Sequence, residues 1–265
     1  MKMKLIALAV AGLAAVGNAN AAFDIGYGDQ NGTSELFAFV YDGNANLQAF
    51  FDLGVNINDF TADQKAAPGT TNVWNLANNT TTGLGGVSGS WSNSWNTYVA
   101  GASMSNSVWM VGAYEFDALA VAMTTSNTDP AIIAQQDDMT LNNFSAAVTP
   151  NANGQLPGHT VANGSNTAAA SSNPAGVIGS GFAPSWNSNF IGNSWASVGT
   201  AQNTYFLQAN FLGGAATVTP YAGQFNLTNA GVLSYTAPVP EPETYALMLA
   251  GLGMVGLIAR RRRPV

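Results

Sequence analysis

Cysteine is absent from the chain. Disulfides, thiolate metal sites, a cysteine nucleophile and lipid attachment at a cysteine are all excluded. Histidine occurs once, at His159, with no second histidine to share a metal. Cations are almost missing from the long middle: between Ala22 and Val239 the only one is Lys65. That stretch has no arginine, so it cannot form a bidentate clamp on a carboxylate. Salt bridges can contribute almost nothing to its fold. Twelve acids face the single lysine there, a charge of −11 that the whole-chain value of −7 conceals. The difference arises because six of the seven cations lie in the two terminal segments. Such a body repels nucleic acid, phosphorylated ligands and acidic polysaccharides. Its remaining polar surface is Asn, Ser, Thr and Gln, suited to neutral sugars, water or divalent cations. The scarcity of catalytic residue types argues against an enzyme.

What is present is organised by the ends. Residues 1–21 read as a secretory signal peptide. Lys2 and Lys4 start it, residues 5–16 are its apolar stretch, and Ala19-Asn20-Ala21 is a small-x-small site for signal peptidase. The mature chain is expected to begin at Ala22. A disulfide-free exported domain must rest on its core, and residues 22–237 are enough to bury one.

The other end, residues 238–265, has three parts. Pro240-Glu241-Pro242 is a hinge, because proline lacks an N–H and fixes φ. Residues 245–259 carry no charge and are apolar on every side, with Tyr245, Leu247, Leu249, Leu252, Val255, Leu257 and Ile258 as candidate membrane anchors. As a helix this run is about 22 Å long, against a hydrocarbon core of about 30 Å, which is short for a permanent span. Tyr245 at one interface and snorkelling arginines at the other would close part of the gap. Arg260, Arg261, Arg262 and Arg263 set the orientation: they stay in the cytoplasm and the body lies outside. A buried core helix would have no reason to end on four arginines.

This tripartite tail resembles the PEP-CTERM sorting signal of Gram-negative bacteria. The resemblance covers about a tenth of the chain. It implies processing by an exosortase, a membrane transpeptidase-like enzyme that recognises the Pro-Glu-Pro region. Release or transfer of the body to the cell surface or extracellular matrix would follow, often beside exopolysaccharide in a biofilm. The chemistry belongs to that partner, so no catalytic residue is carried over.

Between the ends the chain reads as mainly β, a β-sandwich-like single domain with a few short helices. Residues 35–41 and 47–53 flank an Asp42-Gly43-Asn44 turn and predict a β-hairpin. Asp42 to Asn46 also echoes the start of a Ca2+ loop, but Leu47 and Leu53 stand where that loop needs glycine and glutamate. Trp91, Trp95, Tyr98, Val99 and Ala102 fall on one face of a short helix. Core packing is the reading this spacing favours. A neutral-glycan stacking surface using Trp91, Trp95 and Trp109 is the alternative. Strands are expected over residues 108–117, 119–125 and 204–212, with a closing hairpin over 221–236. Glu115 and Asp117 lie two apart on one strand face, the spacing of a solvated strand end or of a hydrolase acid/base pair. Residues 149–185, rich in Asn, Gly, Ser, Ala and Pro, are expected to form a low-complexity surface insertion.

Overall fold

The computed structural model describes residues 34–62, 68–85, 87–114, 121–129, 163–169, 195–210, 214–239 and 242–261. The signal peptide, Glu115, Asp117, His159, Pro240 and Glu241 lie outside these residues.

Among the described residues eleven strands form one sheet: β1 (Glu35–Asp42), β2 (Leu47–Asn56), β3 (Thr71–Asn75), β4 (Thr80–Thr82), β5 (Val108–Tyr114), β6 (Val121–Ser126), β7 (Ser165–Ala169), β8 (Ala196–Ser197), β9 (Gln202–Asn210), β10 (Gly214–Leu227) and β11 (Val232–Thr236). Their order is β4-β3-β11-β10-β9-β6-β5-β1-β2-β7, with β8 paired to β5. Each ladder is antiparallel, as in β1–β2, β10–β11 and β11–β3.

The expected sandwich of two sheets is therefore corrected to a single curled sheet. The reason lies in the core. Alternate residues of β1 and β2 (Leu36, Ala38, Val40, Ala49, Phe51, Leu53) enter one buried cluster with Trp74 of β3, Phe225 of β10 and Tyr235 of β11. Six strands separate β3 from β2 in the sheet order, yet Trp74 Nε1 donates to the Leu53 carbonyl at 3.0 Å. One apolar face can close on itself this way only by curling. Each buried aromatic side chain contributes about 1.5–3 kcal/mol relative to exposure.

Among the described residues three helices accompany the sheet: α1 (Ile57–Ala62), α2 (Ser92–Gly101) and α3 (Pro242–Arg261). In α1, Phe60 stacks on Phe225 at 5.8 Å and meets Tyr235 edge-on at 5.0 Å. Helix α2 fills the gap between the sheet's edges. Its N-cap position, Trp91, has no capping side chain; Asn79 supplies one from the β3–β4 turn, accepting from the Trp91 and Ser92 N–H groups at 2.7 and 2.6 Å. On its other side, Thr167 Oγ1 of β7 donates to the Ser94 carbonyl at 2.7 Å, and Ser165 Oγ meets Ser94 Oγ at 2.8 Å.

Strand β7 falls within 149–185, the stretch expected to form a low-complexity surface insertion. Ser165–Ala169 lacks apolar alternation, so it looks like a loop. It becomes a strand because β2 offers an edge and α2 offers partners for its hydroxyls.

Sheet continuity lapses at one place. β5 and β6 pair over three residues, from Gly112↔Thr124 to Tyr114↔Ala122. Beyond these, Thr125 Oγ1 accepts the Val111 N–H at 3.0 Å and Gln202 Nε2 donates to the Trp109 carbonyl at 2.9 Å. Side chains there replace the backbone ladder. Gln202 Oε1 and Thr204 Oγ1, both buried at this split, have no hydrogen-bond partner.

Candidate functional site

The tail leaves the body from a strand locked on both sides. β11 pairs with β10 from Leu227↔Leu233 to Gln224↔Thr236, and with β3 from Asn75↔Val232 to Thr71↔Thr236. One residue further on, the Ala237 N–H donates to the Thr70 carbonyl at 3.0 Å, and the Gly69 N–H donates back to the Ala237 carbonyl at 3.1 Å. Gly69 has φ +83, and Val239 Cγ2 would lie 3.3 Å from any Cβ there. A side chain at position 69 would therefore be both strained and crowded. Ala237 is buried, whereas Val239 is 66% exposed. The body ends abruptly at that point.

Helix α3 begins at Pro242, where a missing N–H costs a helix nothing. It ends at Arg261. Leu247, Met248, Leu249, Leu252, Met254 and Val255 are all exposed. Nothing lies within 4 Å of a Cβ built on Gly251, Gly253 or Gly256. Among the described residues no helix is long and apolar enough to cross a membrane. Pro242, Glu243 and Thr244 at one end and the arginines at the other shorten the apolar part of this 20-residue helix to the run starting at Tyr245. Sequence and structure thus agree on a helix but leave it below full spanning length.

The tryptophan surface is corrected. Trp91, Trp95 and Trp109 are buried, as is Trp74. Trp91 Nε1 donates to the Asp52 carbonyl at 2.6 Å and Trp109 Nε1 to the Ser197 carbonyl at 3.2 Å. Their faces pack in the core and cannot stack on a sugar. Val99, expected on the same helix face, is exposed instead. Trp195 is half-buried against Phe39, with ring centroids 5.2 Å apart.

Two carboxylates behave in opposite ways. Asp42 Oδ1 accepts from the Asn44 and Ala45 N–H groups at 2.9 and 3.1 Å, and Oδ2 from the Ser103 N–H at 2.8 Å. Burial works to raise its pKa, but these three donors outweigh it and hold the carboxyl below the usual range. The segment that echoes a Ca2+ loop is thus a hairpin turn, with Asp42 tying it to the end of α2. Asp52 is buried on β2, across from Phe37, and a bulge in β1 separates Phe37 from Glu35. Burial first, and the Glu35 charge second, push Asp52 well above the ordinary value; the Gly54 N–H at 2.9 Å only partly offsets them. The perturbed carboxylate is therefore Asp52, beside Glu35, which the spacing argument that singled out Glu115 and Asp117 missed. The available signal was an aspartate following two phenylalanines in a strand. Both carboxylates are sealed from solvent, and no group of three potential metal-ligating side chains occurs among the described residues.

The family described as the PEP-CTERM protein-sorting motif matches residues 238–263. The chain carries that motif, which implies processing by an exosortase. It marks an exported protein, held at the membrane and then sorted to the surface. No curated protein and no solved structure matches the chain.

Proposed function

We propose that the body, residues 22–237, is a non-enzymatic structural component of the cell surface or extracellular matrix. In this reading signal peptidase removes residues 1–21 during export. The tail then holds the body outside the inner membrane, with Arg260 to Arg263 in the cytoplasm, until exosortase acts at Pro240-Glu241-Pro242. The observation that carries the reading is helix α3, whose apolar side chains Leu247, Met248, Leu249, Leu252, Met254 and Val255 are exposed. Its short apolar run fits a transient anchor better than a permanent one. The acidic, Asn- and Thr-rich body suits a hydrated matrix of neutral exopolysaccharide, because its charge repels acidic chains.

Deleting residues 238–265 tests this in cells that possess an exosortase. Membrane fractions should lose the protein, and surface labelling should fall to background while the body remains folded. Normal surface display of the truncated chain would defeat the proposal.

A further inference from the structure

The body stops two residues short of the motif. Ala237 is held to Thr70 and Gly69 by a reciprocal pair of backbone hydrogen bonds, and Pro240 follows after Pro238 and Val239. Helix α3 starts at Pro242, so only residues 238–241 separate the held strand from the helix. Fully extended, four residues reach roughly 14 Å at most. An eleven-stranded sheet cannot follow the chain into an enzyme cleft. An enzyme that reads Pro240-Glu241-Pro242 in extended form must therefore work against the rim of the body, or first free the chain from that rim.

We infer that the Ala237–Thr70/Gly69 pairing is a staple that restrains processing of the tail. Its opening sets how fast exosortase gains the motif. This inference rests on the sorting role proposed above. The staple is the weakest point at which the body can yield. It has two backbone hydrogen bonds on one side only, whereas Thr236 is paired to both β3 and β10. Ala237 contributes a small side chain to the core, so its release leaves the packing of Tyr235 and Phe225 intact. The staple keeps the motif close to the body until the enzyme is engaged, which limits cleavage by chance encounters.

The test uses the full chain in exosortase-containing cells, with pulse-chase and intact-mass detection of the trimmed product. One variant inserts ten Gly/Ser residues between Pro238 and Val239. A second, Ala237→Pro, removes the N–H donated to Thr70 without lengthening the chain. Both should be processed several-fold faster than the parent, with thermal unfolding of the body unchanged in the insertion variant. An unchanged or slower rate in either variant overturns the staple. Replacing Pro240, Glu241 and Pro242 by alanine in each background should abolish trimming. Trimming that survives this replacement would defeat the sorting role itself, and the staple with it.

Discussion

Asp42 and Asp52 give the body opposite responses to pH. The Asp42 carboxyl is held below 3.8, so its stabilisation is present above that value and is lost as pH falls through its lowered native pKa. Asp52 is raised above 3.8, so the folded state has its full advantage below that value and loses it as pH climbs toward the raised native value. Asp52→Asn keeps the oxygen that accepts the Gly54 N–H and removes the charge facing Glu35. Its melting temperature should exceed the parent's by a few degrees at pH 7 and match it near pH 3, as read by calorimetry. Asp42→Ala strands three backbone N–H groups and should cost about 2–3 kcal/mol in urea unfolding at pH 7. A loss below about 0.5 kcal/mol would mean the turn holds without its carboxylate.

Among the elements, those with local signals are the ones legible from sequence. The β1–β2 hairpin announces itself through its aromatic runs and the Asp42-Gly43-Asn44 turn, and the β10–β11 hairpin through Thr228 to Gly231. Strand β7 does not, because nothing in Ser165–Ala169 alternates and its partners lie on β2 and α2, far away in the chain. The first strand of the expected hairpin over 221–236 begins earlier, as β10 from Gly214; Pro220 is tolerated because a bulge follows it, between Pro220 and Gln224. The single sheet was hidden for the same reason as β7: strand order is a long-range property that periodicity does not carry. The split beside β5 follows suit, since neither Gln202 nor Thr204 looks like a core residue in sequence. Thr204→Val removes a buried hydroxyl without a partner, and its stability should equal or exceed the parent's by up to about 1 kcal/mol. Chemical denaturation showing a loss above 1 kcal/mol would reveal a bond to that hydroxyl.

For the whole molecule, tail and body divide the work. The sorting motif was readable at once, because prolines, an uncharged run and terminal arginines need no tertiary partner to be recognised. The role of the body was not, because its aromatic side chains serve the core rather than a surface. Since the apolar side chains of α3 from Leu247 to Leu249, with Leu252, Met254 and Val255, are exposed, a purified chain of residues 22–237 should melt within about 1 °C of a chain that retains 238–265 in detergent. A larger drop would mean the helix docks on the body.

Any tether joined to the C-terminal end also decides how the body bears load. Drag from flowing medium would enter the fold along β11, an inner strand flanked by β3 and β10. An edge strand peels away one rung at a time, whereas a strand gripped on both flanks must slide past its neighbours all at once. A protein fastened by this end would hold its shape under a steady pull that would unzip a hairpin hung from the sheet's margin.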